Sequence, residues 1–284
     1  MKTGYLGPKA TFTDLAVREM FPNYEAVAFT TIPDCIDAVV NDEIDIAVVP
    51  LENAIEGSVN ITLDYLIHEV DLPVRGELSA PIRQHLMVHP NQVDHWKELE
   101  IIYSHTHAIA QCHKFLHSEL KGIRTESYTS TAGAAQYVME HPDEAIGAIA
   151  NELAAKEYGL VIVKPDIHDF DYNRTRFVFL CKQPLELPIK PNFVGYKTTL
   201  MITLPEDRSG ALHQVLSAFS WRKLNLIKIE SRPTKTGLGN YFFIIDIDKA
   251  LDDVLIPGAI AEIEALGCQV KVFGSYPYYQ LEAN

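Results

Sequence analysis

The residues able to do chemistry gather in four polar segments, each beside an apolar run that reads as a buried strand. The first is Pro50-Leu51-Glu52-Asn53-Ala54-Ile55-Glu56-Gly57-Ser58, after the run 44–49. It would lie at the carboxyl end of a strand, where open α/β sheets bind ligands, and a plain turn accounts for it equally well. The second is Ser104-His105-Thr106-His107, followed by Gln111. Exposed amides at a helix start hold carboxylates, and hydroxyls add donors; simple N-capping is the plainer account. The third, Thr129-Ser130-Thr131-Ala132-Gly133, again offers hydroxyls at a helix start. In the fourth, Asn173-Arg174-Thr175-Arg176-Phe177, two arginines flank a threonine. They could grip a carboxylate in bidentate fashion or pair with nearby Asp169 and Asp171. A fifth segment, from Gly7 to Thr13, has too few glycines to cradle phosphate. His113 and His117 could share a helix face, but no third ligand is organised with them, so no metal is expected.

Hydroxyls, amides, helix starts and an arginine, without a nucleotide motif or a metal cluster, describe a cleft for a small polar anion. The residues alone do not separate an enzyme from a solute-binding protein.

The elements that must position these segments alternate. Strands are expected at 2–6, 44–49, 78–88 (interrupted by Pro81), 101–103, 145–149, 161–163 and 177–181, and helices at 11–20, 61–67, 108–120, 131–140 and 152–158. Such alternation implies α/β units with mostly parallel sheets, here in two lobes. Three prolines within 184–191 interrupt the pattern, so residues 1–183 and 196–284 are expected to be separate domains joined by a linker at 184–195. Beyond it come a strand (198–204), a helix (211–223), a strand (226–232), a glycine-rich turn (235–240), a strand (241–247), a helix (257–266) and a strand (269–273). This is the ferredoxin-like βαββαβ order. A unit of that size gains stability by pairing with a second copy.

Composition narrows the function further. The 284 residues are 47% hydrophobic and carry a net charge of −14. Residues 1–195 hold 15 basic and 28 acidic side chains. That charge opposes nucleic acid and anionic membranes as partners. The four cysteines form no CxxC pair, the N-terminal residues lack the pattern of a secretory leader, and a cytoplasmic protein is expected.

The same segments, in order along the chain, resemble those of prephenate dehydratases. The carriers are Tyr5-Leu6-Gly7-Pro8 with Thr11-Phe12-Thr13, Val49-Pro50-Leu51-Glu52-Asn53 with Glu56-Gly57-Ser58-Val59, Ser104-His105 with Ala110-Gln111-Cys112, Ser130-Thr131-Ala132, and Asn173 with Thr175-Arg176-Phe177. The second part resembles an ACT domain, through Gly210-Ala211-Leu212 and Glu230-Ser231-Arg232-Pro233. The sequence departs from the family at Ala10, where glycine is usual, at Thr106-His107 in place of Pro-Gln, and at Ala54 in place of serine.

The resemblance implies a two-lobed, periplasmic-binding-protein-like catalytic domain followed by the ACT domain, in the form without a chorismate mutase segment. It implies decarboxylating dehydration of prephenate to phenylpyruvate in phenylalanine biosynthesis, without a cofactor. Thr175 would assist the leaving group, with Glu52 as the competing proton donor. Asn53, Ser104, Gln111, Thr131, Asn173, Arg176 and Phe177 would hold the substrate. L-Phenylalanine would bind Gly210, Ala211, Leu212, Asn225, Glu230, Ser231, Arg232 and Pro233, in a homodimer or homotetramer built through the ACT domain. The alternatives are an arogenate dehydratase and a non-catalytic sensor of small anions or amino acids.

Overall fold

A computed structural model describes residues 1–187, 192–206, 209–233 and 241–282. The chain divides into two compact units: 1–70 with 79–178 and 281–284, and 71–78 with 179–280.

The first unit contains two α/β lobes. In one, the sheet order is Arg174–Leu180, Ile46–Asn53, Lys2–Leu6, Glu25–Phe29. Lys2–Leu6 runs parallel to both of its neighbours. Ile46, Ala47, Val48 and Val49 are fully buried, as expected of a central parallel strand. In the other lobe the order is Val161–Lys164, His85–Val88, Ile146–Ala150, Ile101–Ser104, Arg124–Ser127. Its core includes Leu86, Val88, Ile102 and Ile149 on one face and Met87, Ala132, Ala148 and Ala150 on the other. Helix starts are fixed by side chains that accept the N–H three residues on: Thr11 for Phe12–Met20, Ser130 for Thr131–Glu140 and Asn151 for Glu152–Tyr158.

The expected strand over 78–88 is two strands in two different sheets, Val74–Pro81 and His85–Val88. The interruption at Pro81 therefore marks a crossing between lobes, because proline cannot donate to a ladder. A second crossing runs alongside, with Ile82 N–H on the Asn173 carbonyl and Ile167 N–H on the Gln84 carbonyl, each at 2.9 Å. The expected helix over 108–120 is broken into Thr106–Ala110 and His113–Glu119. The Gln111 carbonyl accepts from Asp169 N at 2.6 Å, and the Asp169 carboxylate caps Lys114 N. Strand Glu25–Phe29 and helix Ile32–Val40 are additional elements.

In the second unit the ladder order is Leu226–Pro233, Tyr241–Ile247, Phe193–Thr203, Gln269–Gln280, continued by Val74–Pro81. Helices Ala211–Trp221 and Leu255–Ala265 pack on it through Val215, Ala218, Phe219, Ile256 and Ile263. This is the expected βαββαβ order. Lys197 and Glu77 form a buried ion pair at 2.6 Å, with the ammonium 4.2 Å from the Tyr278 ring centre. Phe193 already belongs to a strand; residues 188–191 of the expected linker and the turn at 235–240 lie outside the described residues. All four cysteines are buried and none is in a disulfide.

Candidate active site

The two lobes of the first unit enclose a cleft of about 1060 Å³. Thr175 stands in its wall because of strand geometry. The strand begins at Arg174, not at residue 177 as the sequence pattern suggests, so Thr175 lies within it. Alternation then sorts the segment. Thr175 and Phe177 line the cleft; Arg174 and Arg176 do not. Arg174 turns to the Ser79 side chain and to the carbonyls of Ser79 and Leu281. Burial without a carboxylate partner holds its guanidinium below the usual range.

The same alternation separates Glu52 from Asn53. Asn53 lines the cleft, and its Nδ2 donates to Thr175 Oγ1 at 2.9 Å. Glu52 is not among the lining residues and instead meets Arg176 at 2.6 Å. The Glu52 carboxylate thus accepts from Arg176, and of the two roles open to Arg176 the geometry shows the ion pair. Ser104 is fully buried and donates to the Ile149 carbonyl at 2.6 Å, which joins two strands of its sheet and leaves its hydroxyl off the cleft wall.

Gln111 does line the cleft, exposed to it by the helix break. Its Nε2 donates to Glu56 Oε1 at 3.2 Å, and its Oε1 accepts from Asn173 Nδ2 at 3.0 Å. Asn173 is 2% exposed and sits behind Gln111. Glu56 is a cleft residue that the sequence reading did not single out; its other oxygen lies 3.8 Å from His107 Nδ1. Burial, and then neighbouring His107, push the His105 imidazole below its ordinary pKa.

Thr131 lines the cleft at the start of its ten-residue helix, and Thr11, Phe12 and Thr13 line it at the start of a nine-residue helix in the other lobe. Two helix N-termini, one from each lobe, thus face the same space. Among the described residues no lysine or arginine lines it. Tyr128 and Tyr137, with ring centres 5.7 Å apart, add an aromatic wall. Their signal in the sequence was only their position beside Ser130 and on the following helix. The loop before Phe12 docks on the other lobe: Asn151 Nδ2 donates to the Ala10 carbonyl at 3.0 Å. Ala10 has a φ of +63°, a conformation that favours the glycine usual in the family.

In the second unit, Gly210 has a φ of +84° and caps helix Ala211–Trp221. Ala211 is buried, and Leu212 packs against the core. Strand Leu226–Pro233 alternates, with Ser231 and Pro233 on the more exposed face and Lys228, Glu230 and Arg232 on the other. Glu230 contacts Lys228 at 3.0 Å and Arg232 at 3.3 Å. Asn225 is exposed, its carbonyl accepting from Asp248 N.

A two-lobed α/β domain with a polar cleft, joined to a ferredoxin-like domain, is the architecture of a protein that binds or processes a small molecule and carries a second, smaller module. The prephenate dehydratase family model matches residues 3–185, and the ACT domain model matches residues 198–266. The chain is 61% identical to the prephenate dehydratase of Bacillus subtilis, over 99% of this chain and 100% of that one. It is 39% identical to the prephenate dehydratase of Lactococcus lactis, over 99% of each. A solved prephenate dehydratase from Arthrobacter aurescens, in complex with L-Phe, has a TM-score of 0.85 at 33% identity and covers 97% of this chain and 89% of its own. The chain belongs to the prephenate dehydratase family.

Proposed function

We infer that this protein converts prephenate to phenylpyruvate, a step of phenylalanine biosynthesis, under regulation by L-phenylalanine. In the reaction the ring carboxylate leaves as CO2. Its bonding pair completes the aromatic ring, and the C–O pair departs with hydroxide. The driving force is aromatisation, so the protein has to orient a dianion and ease hydroxide's departure. The observation that carries this reading is the Thr175 hydroxyl in the wall of a cleft faced by helix starts from both lobes. Each helix start suits one carboxylate of a dicarboxylate. Thr175 would donate to the departing oxygen, and positioned donation of this kind is worth ~10²–10⁴ in rate. Gln111 and Thr131 would hold the substrate and Phe177 would pack on its ring. Asn173 would orient Gln111, while Glu52, Arg176 and Ser104 would brace the strands behind them.

Residues 1–183 would form the catalytic domain and 196–284 the regulatory one, with 184–195 between them. L-Phenylalanine would engage the segment from Gly210 to Leu212, Asn225, and the strand end from Glu230 to Pro233. That strand is at the edge of its sheet, with Ile227 and Ile229 exposed, which suits pairing with a second copy in a dimer or tetramer. A cytoplasmic location fits a biosynthetic enzyme, and no helix among the described residues is long and apolar enough to cross a membrane.

The test is phenylpyruvate formation from prephenate, with arogenate in parallel, each with and without L-phenylalanine. Turnover of prephenate that falls on adding phenylalanine is expected. Binding of prephenate without turnover would leave a sensor in place of an enzyme, and turnover of arogenate alone would change the substrate.

A further inference from the structure

Thr175 can ease hydroxide's departure only if its hydroxyl hydrogen points into the cleft. The groups around it decide that direction. Asn53 Oδ1 accepts the backbone N–H groups of Ile55 at 3.0 Å and Glu56 at 3.1 Å. A backbone N–H can only donate, so the amide cannot be reversed without setting its NH2 against two N–H groups. Asn53 Nδ2 must therefore face the other way, where it donates to Thr175 Oγ1 at 2.9 Å. The threonine oxygen receives that hydrogen and keeps its own for another partner. Among the described residues Thr175 makes no other side-chain hydrogen bond.

We propose that Asn53 is a positioning residue that sets the polarity of the Thr175 hydroxyl, so that its hydrogen is left for the substrate's departing oxygen. The proposal rests on the reading of Thr175 as the donor to that oxygen. The polarity originates in the tight turn after strand Ile46–Asn53, where two successive N–H groups converge on one side-chain oxygen.

Asn53→Asp tests it, because aspartate keeps the shape and the turn but has no hydrogen to give when ionised. One carboxylate oxygen still accepts from the turn, and the other turns the Thr175 hydroxyl towards itself. At neutral pH kcat should fall ~10²-fold. Asn53→Ala frees the hydroxyl to rotate but also leaves the Ile55 and Glu56 N–H groups without their acceptor, so its loss reports both effects. As the pH drops towards ~4, the ordinary aspartate range, the variant's carboxyl gains a hydrogen that can restore the original direction. Its kcat, after subtraction of the uncatalysed reaction, should rise on an acid limb absent from the unaltered enzyme.

The double variant Asn53→Asp/Thr175→Val separates this from repulsion between a new carboxylate and the substrate. The acid limb should vanish with the hydroxyl. An acid limb that persists in the double variant, an Asn53→Asp enzyme that keeps its kcat at neutral pH, or a loss confined to KM would each overturn the proposal. If Thr175→Val alone retains the normal rate, it is the reading of Thr175 that fails.

Discussion

The cleft of the first unit is lined by hydroxyls, amides, helix starts and the carboxylates Glu56 and Glu140, with no lysine or arginine among the described residues, whereas on strand Leu226–Pro233 of the second unit Glu230 contacts both Lys228 and Arg232. Neutral donors need no counter-charge while the cleft is empty, so they can stand ready in one arrangement, which is how dipoles stabilise developing charge without reorganising. The charged side chains of the strand already have partners. A zwitterionic effector that reaches them must exchange with an existing ion pair, and that exchange gives two states to choose between. On the proposed assignment of the two sites, the contrast is between a fixed polar wall for turnover and exchangeable ion pairs for sensing.

The most severe way to break the contrast is to remove the hydroxyl from the wall. Thr175→Val should lower kcat by two orders or more, whereas Thr175→Ser keeps much of it. Equal losses in steady-state rates would assign the residue to packing. Next in size is the sensing side. Arg232→Ala, or Gly210→Val at its positive φ, should weaken the response to L-phenylalanine, raising the inhibitor concentration needed by roughly 5–150-fold. Titration of initial rates reads it, and a collapse of the uninhibited rate would make the domain structural instead. The smallest effect concerns salt. With no lysine or arginine among the described lining residues, KM for prephenate should change by less than about 3-fold between low and high ionic strength, because contacts to fixed N–H dipoles within the cleft are screened less than exposed charge pairs. A steep salt dependence would mean that a cation reaches the substrate.

Most elements and the loops that carry the cleft were legible in the sequence, because apolar runs and prolines act over a few residues; strands Glu25–Phe29 and Arg124–Ser127 and helix Ile32–Val40 were not. Ser130 caps the helix that follows it, and Pro81 falls where the chain changes lobes. What was hidden depends on contacts between distant residues. Glu52 and Arg176 are 124 positions apart, and nothing in their spacing announces the pair. The break at Gln111 comes from Asp169 in another segment, which overrides a helical pattern that looks continuous from 108 to 120. Thr175 was found by its motif, but its placement inside a strand required knowing where the strand begins. Glu56 and Tyr137 are ordinary surface residues until the lobes bring them to one wall.

The distribution of the thiols has a practical consequence. Cys35 lies in one lobe and Cys112 in the other, while Cys181 and Cys268 belong to the second unit, and all four are buried. Burial pushes the Cys35 thiol up to about 12 and the Cys112 thiol also well above its ordinary range, so neither supplies a reactive thiolate in the folded chain. Alkylation followed residue by residue would therefore record where the polypeptide opens first, with native sulfur atoms as reporters and no engineered label.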